Sequence, residues 1–477
     1  MNRQSSARRI VSSEPLPEET VDFAIIGAGV VGCALARQLT LDGARVAVIE
    51  KAPDVLDGAS KGNSAILHTG FDAPSDSIEQ RCVSRGYERY LAEHESLGLP
   101  ILKSGALVLA WNEQEVAALD ALVEQAQHNG VSDVQQLDVA DIKSKEPCLN
   151  AQVMGGFHVP REYLIDPWAT AHVYLLHALV NGATLHRNHE ISGGVFDGAC
   201  WNLKTSQGSF SAKQVVCAAG LYGDIVDERL LGMRRFSITP RKGQFVVFEK
   251  AASRLVSNIL LPVPTSITKG VVVCRTIFGN VLVGPTAEDQ ASRDDASTNH
   301  STLEQLRAKA LTIVPGLAHC EVTATYAGLR PASEFKDYQI TRYADQNYTS
   351  VGGIRSTGLS GALGIADYVS ELLADESGVA MSPLASVEKA QADRLSNYHR
   401  RDWQESGNQG IVCHCEHVTR REILTVLDGP MPPRTLQGLK RRTRVCMGQC
   451  QGFYCSAELA DMTEGRLTEP VGETWSS

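Results

Sequence analysis

The sequence predicts an α/β fold with a βαβ unit near the N-terminus, an antiparallel sheet inserted in the middle of the chain and a small helical domain at the C-terminus. Three observations lead to this prediction. A glycine-rich turn joins an apolar strand to an amphipathic helix, alternating apolar stretches occupy the middle of the chain, and five of the 12 cysteines lie beyond residue 410. The 477 residues provide enough core for about two to three domains.

Net charge and hydropathy narrow the classes of partner. The formal net charge is −10, which argues against nucleic acid or an anionic membrane surface as a general partner. No apolar run reaches the roughly 18 residues needed to span a bilayer, and residues 1–20 lack the apolar core of a signal peptide. We therefore expect a cytoplasmic protein without a transmembrane segment, beginning with a flexible segment over residues 1–20.

The βαβ unit has the pattern of a dinucleotide-binding site. Gly27, Gly29 and Gly32 lie between the first apolar strand and its helix. Glycines at this spacing permit a tight turn and let the backbone approach a pyrophosphate at the helix N-terminus, where the helix dipole favours an anion. Glu50 follows Gly32 by 18 residues, where a carboxylate accepts hydrogen bonds from ribose hydroxyls, and Lys51 comes next. The unit predicts a bound dinucleotide.

Three later loops of small residues favour FAD over NAD. They are residues 58–70, 215–224 and 352–360, and each suits close backbone approach to a phosphate or a planar ring. Together with the βαβ unit, they resemble the D-amino-acid-oxidase-like family of FAD-dependent oxidoreductases over about residues 21–373. The resemblance implies a Rossmann-like FAD-binding domain, with further cofactor contacts from Ser60, Asn63, Ser64, Gly220, Gly358, Leu359 and Ser360.

Two segments resemble a narrower group within that family. Residues 63–70 are similar to the flavin-facing loop of the group that contains the large subunit of anaerobic glycerol-3-phosphate dehydrogenase and the L-2-hydroxyglutarate oxidases, and residues 327–331 are similar to its arginine-bearing strand end. The resemblance implies an enzyme that transfers a hydride to FAD from a carbon bearing OH or NH. The implied substrate is a small anionic hydroxy compound.

Three residues are candidates for this chemistry. Arg330 and Arg355 offer planar guanidinium groups that match a phosphate or a carboxylate, and a structural salt bridge is the alternative for each. His68 titrates near working pH and is the candidate general base. For His68, contact with the flavin alone and a purely structural role are the alternatives.

Alternating apolar stretches at residues 244–248, 270–274 and 281–284 predict an antiparallel sheet with one solvated face. The family carries such a sheet as a substrate domain inserted into the FAD domain, and we expect helices near residues 84–97 and 113–128 to cap it. The predicted bounds are 21–90, 150–230 and 335–375 for the FAD part, 91–149 and 231–334 for the substrate part, 376–410 for a linker with a charged helix, and 411–477 for the C-terminal domain.

The C-terminal cysteines indicate metal or iron–sulfur ligation, because disulfide frameworks belong to secreted chains. A Cys-x-Cys pair, the basic run 440–444 and a Cys-x4-Cys pair resemble the bacterioferritin-associated-ferredoxin-like [2Fe-2S] domain. This resemblance assigns the cluster ligands Cys413, Cys415, Cys450 and Cys455. Cys446 departs from the pattern, so a Cys446/Cys450 pair stays open. Zinc, which thiolates also bind, and an empty site stay open as well.

The sequence therefore predicts an FAD-dependent dehydrogenase that oxidises a secondary alcohol and sends electrons through a [2Fe-2S] cluster. The expected acceptor is a quinone or an electron-acceptor subunit in a hetero-oligomer, either free in the cytoplasm or peripheral at the inner membrane. Glycerol 3-phosphate or a similar polyol phosphate is the first choice of substrate. The alternatives are L-2-hydroxyglutarate or another 2-hydroxy acid, an amine or imino acid of the proline type, and a non-catalytic electron-transfer subunit.

Overall fold

The computed structural model describes residues 14–264, 270–374 and 378–472, so most of the predicted flexible N-terminal segment lies outside the described residues. The strands, in chain order, are β1 (Val21–Ile26), β2 (Val46–Ile49), β3 (Ile66–Leu67), β4 (Ile101–Leu102), β5 (Ala106–Ala110), β6 (Gln135–Leu137), β7 (Gly155–Val159), β8 (Tyr163–Ile165), β9 (Thr184–His186), β10 (Ile191–Phe196), β11 (Trp201–Thr205), β12 (Gly208–Cys217), β13 (Ile238–Phe248), β14 (Ile259–Pro262), β15 (Val272–Arg275), β16 (Val281–Gly284), β17 (Glu288–Asp289), β18 (Val322–Ser333), β19 (Gln339–Tyr343), β20 (Tyr348–Gly352), β21 (Ile411–Cys413) and β22 (Val418–Thr419).

The helices, in chain order, are α1 (Val30–Leu41), α2 (Ile78–Glu93), α3 (Glu113–Ala117), α4 (Leu119–His128), α5 (Val139–Lys145), α6 (Pro167–Val180), α7 (Gly223–Leu231), α8 (His300–Ile313), α9 (Gly358–Ala374), α10 (Arg420–Asp428), α11 (Leu436–Thr443) and α12 (Ser456–Met462). Across the three described ranges, no helix combines the length and the apolar character needed to cross a membrane.

The first sheet has the predicted βαβ unit at its centre. Its strand order is β10-β11-β12-β1-β2-β9, and β20 joins it beside β12. β1 pairs in parallel with β2 and β12, and β12 pairs in parallel with β20. Every residue of β1 and β2 is buried, as parallel strands covered on both faces require. Helices α1, α6 and α9 pack on one face and α7 packs on the other, which confirms the Rossmann-like half.

The second sheet is built on one long antiparallel pair, β13 with β18. Its strand order is β17-β13-β16-β15-β14-β5-β7-β6, and the pairs are antiparallel except for β14 with β5. Leu119 and Ala126 of α4 pack in the same apolar cluster as Phe157 of β7. The sheet confirms the predicted inserted antiparallel domain, and α4 covers it as the sequence predicted. The predicted solvated face is wrong, because Leu107 and Leu109 pack in one apolar cluster and Val108 packs in another, so both faces of the sheet are covered.

Two predicted assignments between the halves are wrong. β7 pairs with β5 in the second sheet, although the sequence placed the return to the FAD part near residue 150. Helix α2 packs on α9 instead of capping the second sheet. Where these helices cross, a Cβ on Gly364 would lie 2.0 Å from the Cys82 carbonyl oxygen, and one on Gly86 would lie 2.1 Å from the Ser360 carbonyl oxygen. This backbone-to-backbone packing fixes α2 in the FAD-binding half, which the amphipathic pattern of α2 alone did not reveal.

Of the predicted linker 376–410, the described residues 378–410 contain one short 3-10 helix, Asp402–Gln404, and no α-helix, so the predicted charged linker helix is wrong. Residues 378–401 are called the strap below. The strap runs along the body of the protein and bonds to it through its backbone. The Leu384 N–H donates to the Leu41 carbonyl at 3.0 Å. The Ala392 N–H donates to the Leu97 carbonyl at 2.8 Å. Donors that serve these contacts are not available for helical hydrogen bonds within the strap.

The small C-terminal domain begins with β21 and β22 and continues through α10, α11 and α12. Thr419 caps α10 as predicted: its hydroxyl accepts from the Glu422 N–H, and the Glu422 carboxylate accepts from the Thr419 N–H. This reciprocal capping box satisfies two donors at the start of the helix. The basic run 440–444 follows within α11 and just beyond it, and Arg441, Arg442 and Arg444 are all buried.

The buried arginines attach the C-terminal domain to the first sheet. The Arg442 guanidinium donates to both oxygens of Asp54, at 2.9 and 3.3 Å, and Arg441 donates to the Val55 carbonyl at 3.1 Å. The Leu56 N–H in turn donates to the Ala28 carbonyl in the glycine-rich turn. The loop that backs the dinucleotide site therefore also receives the C-terminal domain.

Asp54 is a fully buried carboxylate whose ionised form depends on arginine. Burial favours its neutral form, but Arg442 and Arg187 outweigh burial and hold the pKa of Asp54 well below its ordinary value. A carboxyl group whose pKa is depressed on folding stabilises the fold above its unfolded pKa of about 3.9. That contribution is lost as the pH falls toward the folded value.

We predict that Asp54→Asn lowers the free energy of unfolding at neutral pH by about 3 to 5 kcal/mol, because it leaves the buried Arg442 without its counterion. Urea denaturation of the purified holoprotein measures the change. The exposed Asp345, converted to Asn in the same way, should leave the midpoint unchanged. The variant should also lose the part of the acid-induced decrease in stability that Asp54 contributes, which begins as the pH falls below about 3.9. Equal midpoints for Asp54→Asn and the wild type would contradict the structural role of this ion pair.

Candidate active site and thiol cluster

A cavity of about 860 Å³ is lined by residues of both large sheets. Most of the sequence-predicted residues meet on its wall: Gly27, Gly29, Glu50, Lys51, Ser60, Asn63, Ser64, His68, Gly220, Arg330, Arg355, Gly358 and Leu359. Gly32 and Ser360 do not line the cavity. The structure therefore brings together segments that are up to about 330 residues apart in the chain into one site.

The glycine-rich turn needs its glycines for different reasons. Gly27 has φ +104°, and a Cβ there would lie 2.6 Å from the Ala218 carbonyl oxygen. A Cβ on Gly32 would lie 1.9 Å from the Gly27 carbonyl oxygen, so Gly32 serves helix–turn packing. Gly29 faces the cavity, and only the Ser60 hydroxyl lies near its Cβ position. The start of α1 is therefore left open for a pyrophosphate.

The carboxylate after β2 belongs to the same wall. Glu50 accepts from the Ala28 N–H at 2.7 Å and from the Ala52 N–H at 2.9 Å, and burial raises the pKa of Glu50. The Lys51 ammonium lies 3.3 Å from the centre of the Tyr222 ring, a cation–π contact that the sequence analysis did not predict. These groups form the end of the cavity that suits the ribose of a dinucleotide.

The loop that the sequence assigned to the flavin is held against the second sheet. The Asn63 side chain donates to the Ser60 carbonyl and accepts from the Ala65 N–H. The Tyr326 hydroxyl of β18 donates to the Asn63 carbonyl at 2.6 Å. Gly62 lies so close to Gly328 that a Cβ on Gly328 would be 2.2 Å from the Gly62 carbonyl oxygen. These contacts close the cavity between the two halves and place Ser64 on its wall.

His68 is oriented by a carboxylate that the sequence analysis missed. Its Nδ1 lies 2.8 Å from Glu162 Oε2, and Glu162 is fully buried. Glu162 Oε1 accepts from both the N–H and the hydroxyl of Thr69. Ser360, although off the cavity wall, accepts from the His68 N–H at 2.8 Å. A Nδ1–H directed at a carboxylate leaves Nε2 as the acceptor nitrogen of the ring.

The cationic wall of the cavity contains three arginines. Arg330 donates to the Thr286 carbonyl at 3.0 Å, and Arg241 lies directly across from it in the β13–β18 pair. Burial, together with the charges of Arg241 and Arg355, lowers the pKa of Arg330 to about 10. Within the described residues, no carboxylate lies within 4 Å of Arg330 or Arg355, so the predicted alternative of a structural salt bridge is not what these residues form.

The sequence analysis missed one residue of this wall, Arg241, and one residue behind it, Gly243. Arg241 is ion-paired with Asp289 at 2.6 Å, and it becomes a neighbour of Arg330 only through strand pairing. A Cβ on Gly243 would lie 2.5 Å from Arg330 Nη2, so the absence of a side chain there leaves space for the guanidinium. In the sequence these residues appear only as the series Arg-Lys-Gly near the start of the strand. That series does not show which residues of β18 lie opposite them.

The C-terminal thiols are gathered in one place, at the end of the small domain. Cys413, Cys446 and Cys455 are buried, and the sulfur atoms of Cys446 and Cys455 are 3.4 Å apart. Burial raises the pKa of Cys455 to about 11. Backbone N–H groups, led by that of Tyr454, lower the pKa of Cys450. Cys415 interacts with Cys450 on the more exposed side of the group.

These thiols fit a [2Fe-2S] cluster, which four cysteine thiolates hold. Among the described residues, no three His, Cys, Asp or Glu side chains are placed to hold a single metal ion. Cys446 has φ +61°, in the left-handed region that favours glycine. Cys446 therefore occupies a position where the backbone conformation favours glycine.

The thiol group and the flavin-facing loop are joined by a short series of contacts. The Arg444 guanidinium lies 3.9 Å from the centre of the Phe278 ring. Phe278 stacks on Trp168 with ring centres 5.6 Å apart, and the Trp168 indole donates to the Lys61 carbonyl at 3.1 Å. The C-terminal domain thus lies beside the loop that bounds the cavity.

Residues 22–372 match the FAD dependent oxidoreductase family, and residues 411–464 match the BFD-like [2Fe-2S] binding domain. The chain therefore belongs to the FAD dependent oxidoreductase family. Its cofactors are FAD and a [2Fe-2S] cluster, and both cofactor predictions are confirmed.

The relatives define the subgroup. The chain is 30% identical to glycerol 3-phosphate dehydrogenase of Caloramator mitchellensis over 94% of both chains. It is 24% identical to a subunit of the anaerobic glycerol-3-phosphate dehydrogenase of Escherichia coli K12, over 94% of this chain and 88% of that one. The structure of dithionite-reduced L-alpha-glycerophosphate oxidase from Mycoplasma pneumoniae with FAD bound aligns with a TM-score of 0.74 at 26% identity, covering 79% of this chain and 100% of that one. The protein is an FAD-dependent oxidoreductase similar to glycerol-3-phosphate dehydrogenases.

We predict that Gly29→Val abolishes FAD binding, because the side chain would enter the space between the start of α1 and Ser60 where the pyrophosphate is expected. The visible flavin spectrum of the purified protein, together with FAD titration of the apoprotein, measures the loss. Gly193→Val is the matched control, since nothing lies within 4 Å of a Cβ at that position. Retention of stoichiometric FAD by Gly29→Val would contradict the predicted position of the pyrophosphate.

Proposed function

We propose that this protein oxidises the secondary alcohol of glycerol 3-phosphate, or of a closely similar polyol phosphate, and passes the electrons through its [2Fe-2S] cluster to a quinone or an acceptor subunit. The observation that carries the proposal is the group of three arginines, Arg241, Arg330 and Arg355, on the cavity wall that also contains His68. Relatives named as glycerol 3-phosphate dehydrogenases and oxidases support the same substrate.

The arginine group is suited to a doubly charged anion. Arg330 is partly buried and lies near two like charges, and desolvation together with those charges lowers its pKa. An anion bound there relieves the repulsion, and a phosphate dianion does so more fully than a single carboxylate. Guanidinium groups also match the oxygens of a phosphate through paired hydrogen bonds. The wall therefore favours a phosphate ester as substrate.

His68 and Glu162 are suited to remove the hydroxyl proton. Glu162 fixes the ring orientation through Nδ1, and Thr69 holds the other oxygen of the same carboxylate. The acceptor nitrogen, Nε2, can then take the proton of the substrate hydroxyl, and buried Glu162 stabilises the imidazolium that forms. Bound FAD supplies the hydride acceptor, and the cluster carries single electrons onward.

A substrate panel tests this proposal. Glycerol 3-phosphate should bleach the flavin absorption of the anaerobic holoprotein, whereas L-2-hydroxyglutarate and L-proline should not. If L-2-hydroxyglutarate bleaches the flavin and glycerol 3-phosphate does not, the substrate is a 2-hydroxy acid and not a polyol phosphate. If none of these compounds bleaches the flavin, the non-catalytic electron-transfer alternative replaces the proposed enzyme.

We predict that Arg330→Ala reduces kcat/KM for glycerol 3-phosphate by an amount equal to about 2 to 4 kcal/mol of transition-state stabilisation, since a partly buried cation proposed to contact the substrate anion is lost. Steady-state kinetics with an artificial acceptor measures the change. Arg234→Ala is the control, because Arg234 forms a surface ion pair with Glu228. Unchanged kcat/KM in Arg330→Ala would exclude this residue from substrate binding.

The substitution Gly243→Ala tests the position of the Arg330 guanidinium without removing Arg330. Its methyl group would collide with Arg330 Nη2, so the guanidinium must move. We predict a raised KM for glycerol 3-phosphate with FAD content unchanged, which absorption spectra and steady-state kinetics measure. A KM equal to that of the wild type would show that the observed position of Arg330 is not the one that binds substrate.

We propose Cys413, Cys415, Cys450 and Cys455 as the cluster ligands, as the family resemblance implied. Cys450→Ser should then remove the iron and abolish electron delivery to a quinone, while substrate still bleaches the flavin. Iron analysis and the electron paramagnetic resonance signal of the dithionite-reduced protein measure the loss. Cys455→Ser should lose iron as well, and Cys446→Ser should keep it. The reverse result for the last two variants would make Cys446 the ligand.

A further inference from the structure

The cysteine loop, residues 445–457, contains an exposed aromatic pair at its tip. Phe453 and Tyr454 are 79% and 77% exposed, and their rings form an edge-to-face pair with centres 5.2 Å apart. Within the described residues, the next most exposed large hydrophobic side chain is Val195, at 62%. Two adjacent aromatic rings held almost entirely in water are unfavourable, because each can bury about 150 to 250 Å² in a contact.

Apart from its cysteines, the loop around this pair has no ionisable side chain that is charged at neutral pH. None of the 13 residues from 445 to 457 is Asp, Glu, Lys, Arg or His, in a chain of which 21% is charged. The same loop contains Met447 as well as the two aromatic residues. Depletion of charge together with enrichment in Phe, Tyr and Met is the composition of the buried centre of a protein–protein interface.

The backbone holds the aromatic pair outward. Gly452 has φ +96° and turns the chain immediately before Phe453. On the other side of the turn, the Gln451 side chain donates to the Thr323 carbonyl of β18 at 3.1 Å, which anchors the loop on the second sheet. The rings thus project from a fixed loop and do not pack back on the domain.

We propose that this aromatic pair is the docking site of a one-electron acceptor protein whose facing surface is a charge-poor apolar recess. The proposal rests on the proposed function, in which electrons leave through the cluster. Oxidation of the alcohol to a ketone releases two electrons and two protons, and the acceptor protein takes the electrons one at a time. Phe453 and Tyr454 directly precede Cys455 and lie within four residues of Cys450, so a partner on them is next to the exit point.

The occupant is a protein and not a membrane surface. Segments that lie on membranes combine apolar residues with Lys and Arg that attract anionic lipids. The loop has no cation, and the nearby Arg420 is paired with Glu458 at 2.5 Å. An exposed aromatic pair in a loop without Lys or Arg therefore matches the apolar recess of a protein better than the anionic surface of a bilayer.

The test places a photo-crosslinking amino acid at position 454 in cells of the source organism and at position 195 as the matched exposed control. We expect a redox protein to be captured from position 454 and not from position 195. The captured protein, once purified, should then be reduced by wild-type holoenzyme and substrate. Phe453→Ser combined with Tyr454→Ser should slow that reduction by about thirtyfold, the size expected for a central interface residue. Val195→Ser should have no effect.

Two readouts separate this inference from the proposed function. Flavin bleaching by glycerol 3-phosphate and reduction of ferricyanide by the double variant report the enzyme itself, and both should equal those of the wild type. Capture of a second copy of this chain, capture of a protein without a redox group, or no capture at all would overturn the docking proposal. Binding of wild-type protein, but not of the double variant, to vesicles of phosphatidylcholine and phosphatidylglycerol would overturn it in favour of a membrane surface.

Discussion

The contact between Gly62 and Gly328 is the constraint on which the site depends. Here the backbone of the flavin-facing loop meets the backbone of β18 with no room for a side chain on either glycine. The contact fixes the distance between the FAD-binding half and the second sheet. Because Arg330 follows Gly328 by two residues and His68 follows Gly62 by six, it also sets how the cationic wall faces the histidine. The proposed anion site and the proposed proton acceptor lie on opposite halves, so their separation depends on this close approach.

The sequence contained most of the cofactor site because that site is made of local patterns. Gly27, Gly29 and Glu50 belong to one βαβ unit, and their spacing is set by a single turn and a single crossover. The loops at residues 58–70 and 352–360 were recognisable by their small residues together with their resemblance to the flavin loops of a known family. Patterns of this kind carry their meaning within about 30 residues, so a sequence without structure is enough to identify them.

The missed residues depend on pairings over long distances. Glu162 reaches His68 across 94 positions of the chain, and nothing in its own neighbourhood distinguishes it from a surface carboxylate. Arg241 and Gly243 acquire their importance from the register of β13 with β18, which the alternating apolar pattern does not specify. The prediction of a helix in the strap was wrong for a related reason. The charged composition of the strap does not reveal that its backbone N–H groups donate to the body of the protein. The basic run 440–444 could be recognised in the sequence, but the burial of its arginines against Asp54 could not be predicted from the sequence.

The attachment of the C-terminal domain has a consequence for truncation of the chain. Asp54 is buried beside Arg442, which the C-terminal domain supplies, and the loop that carries Asp54 continues into contact with the glycine-rich turn. A protein cut before residue 411 would lose Arg442 and would keep Arg187, which lies 3.7 Å from Asp54. Removal of the C-terminal domain would therefore also disturb the loop that backs the dinucleotide site.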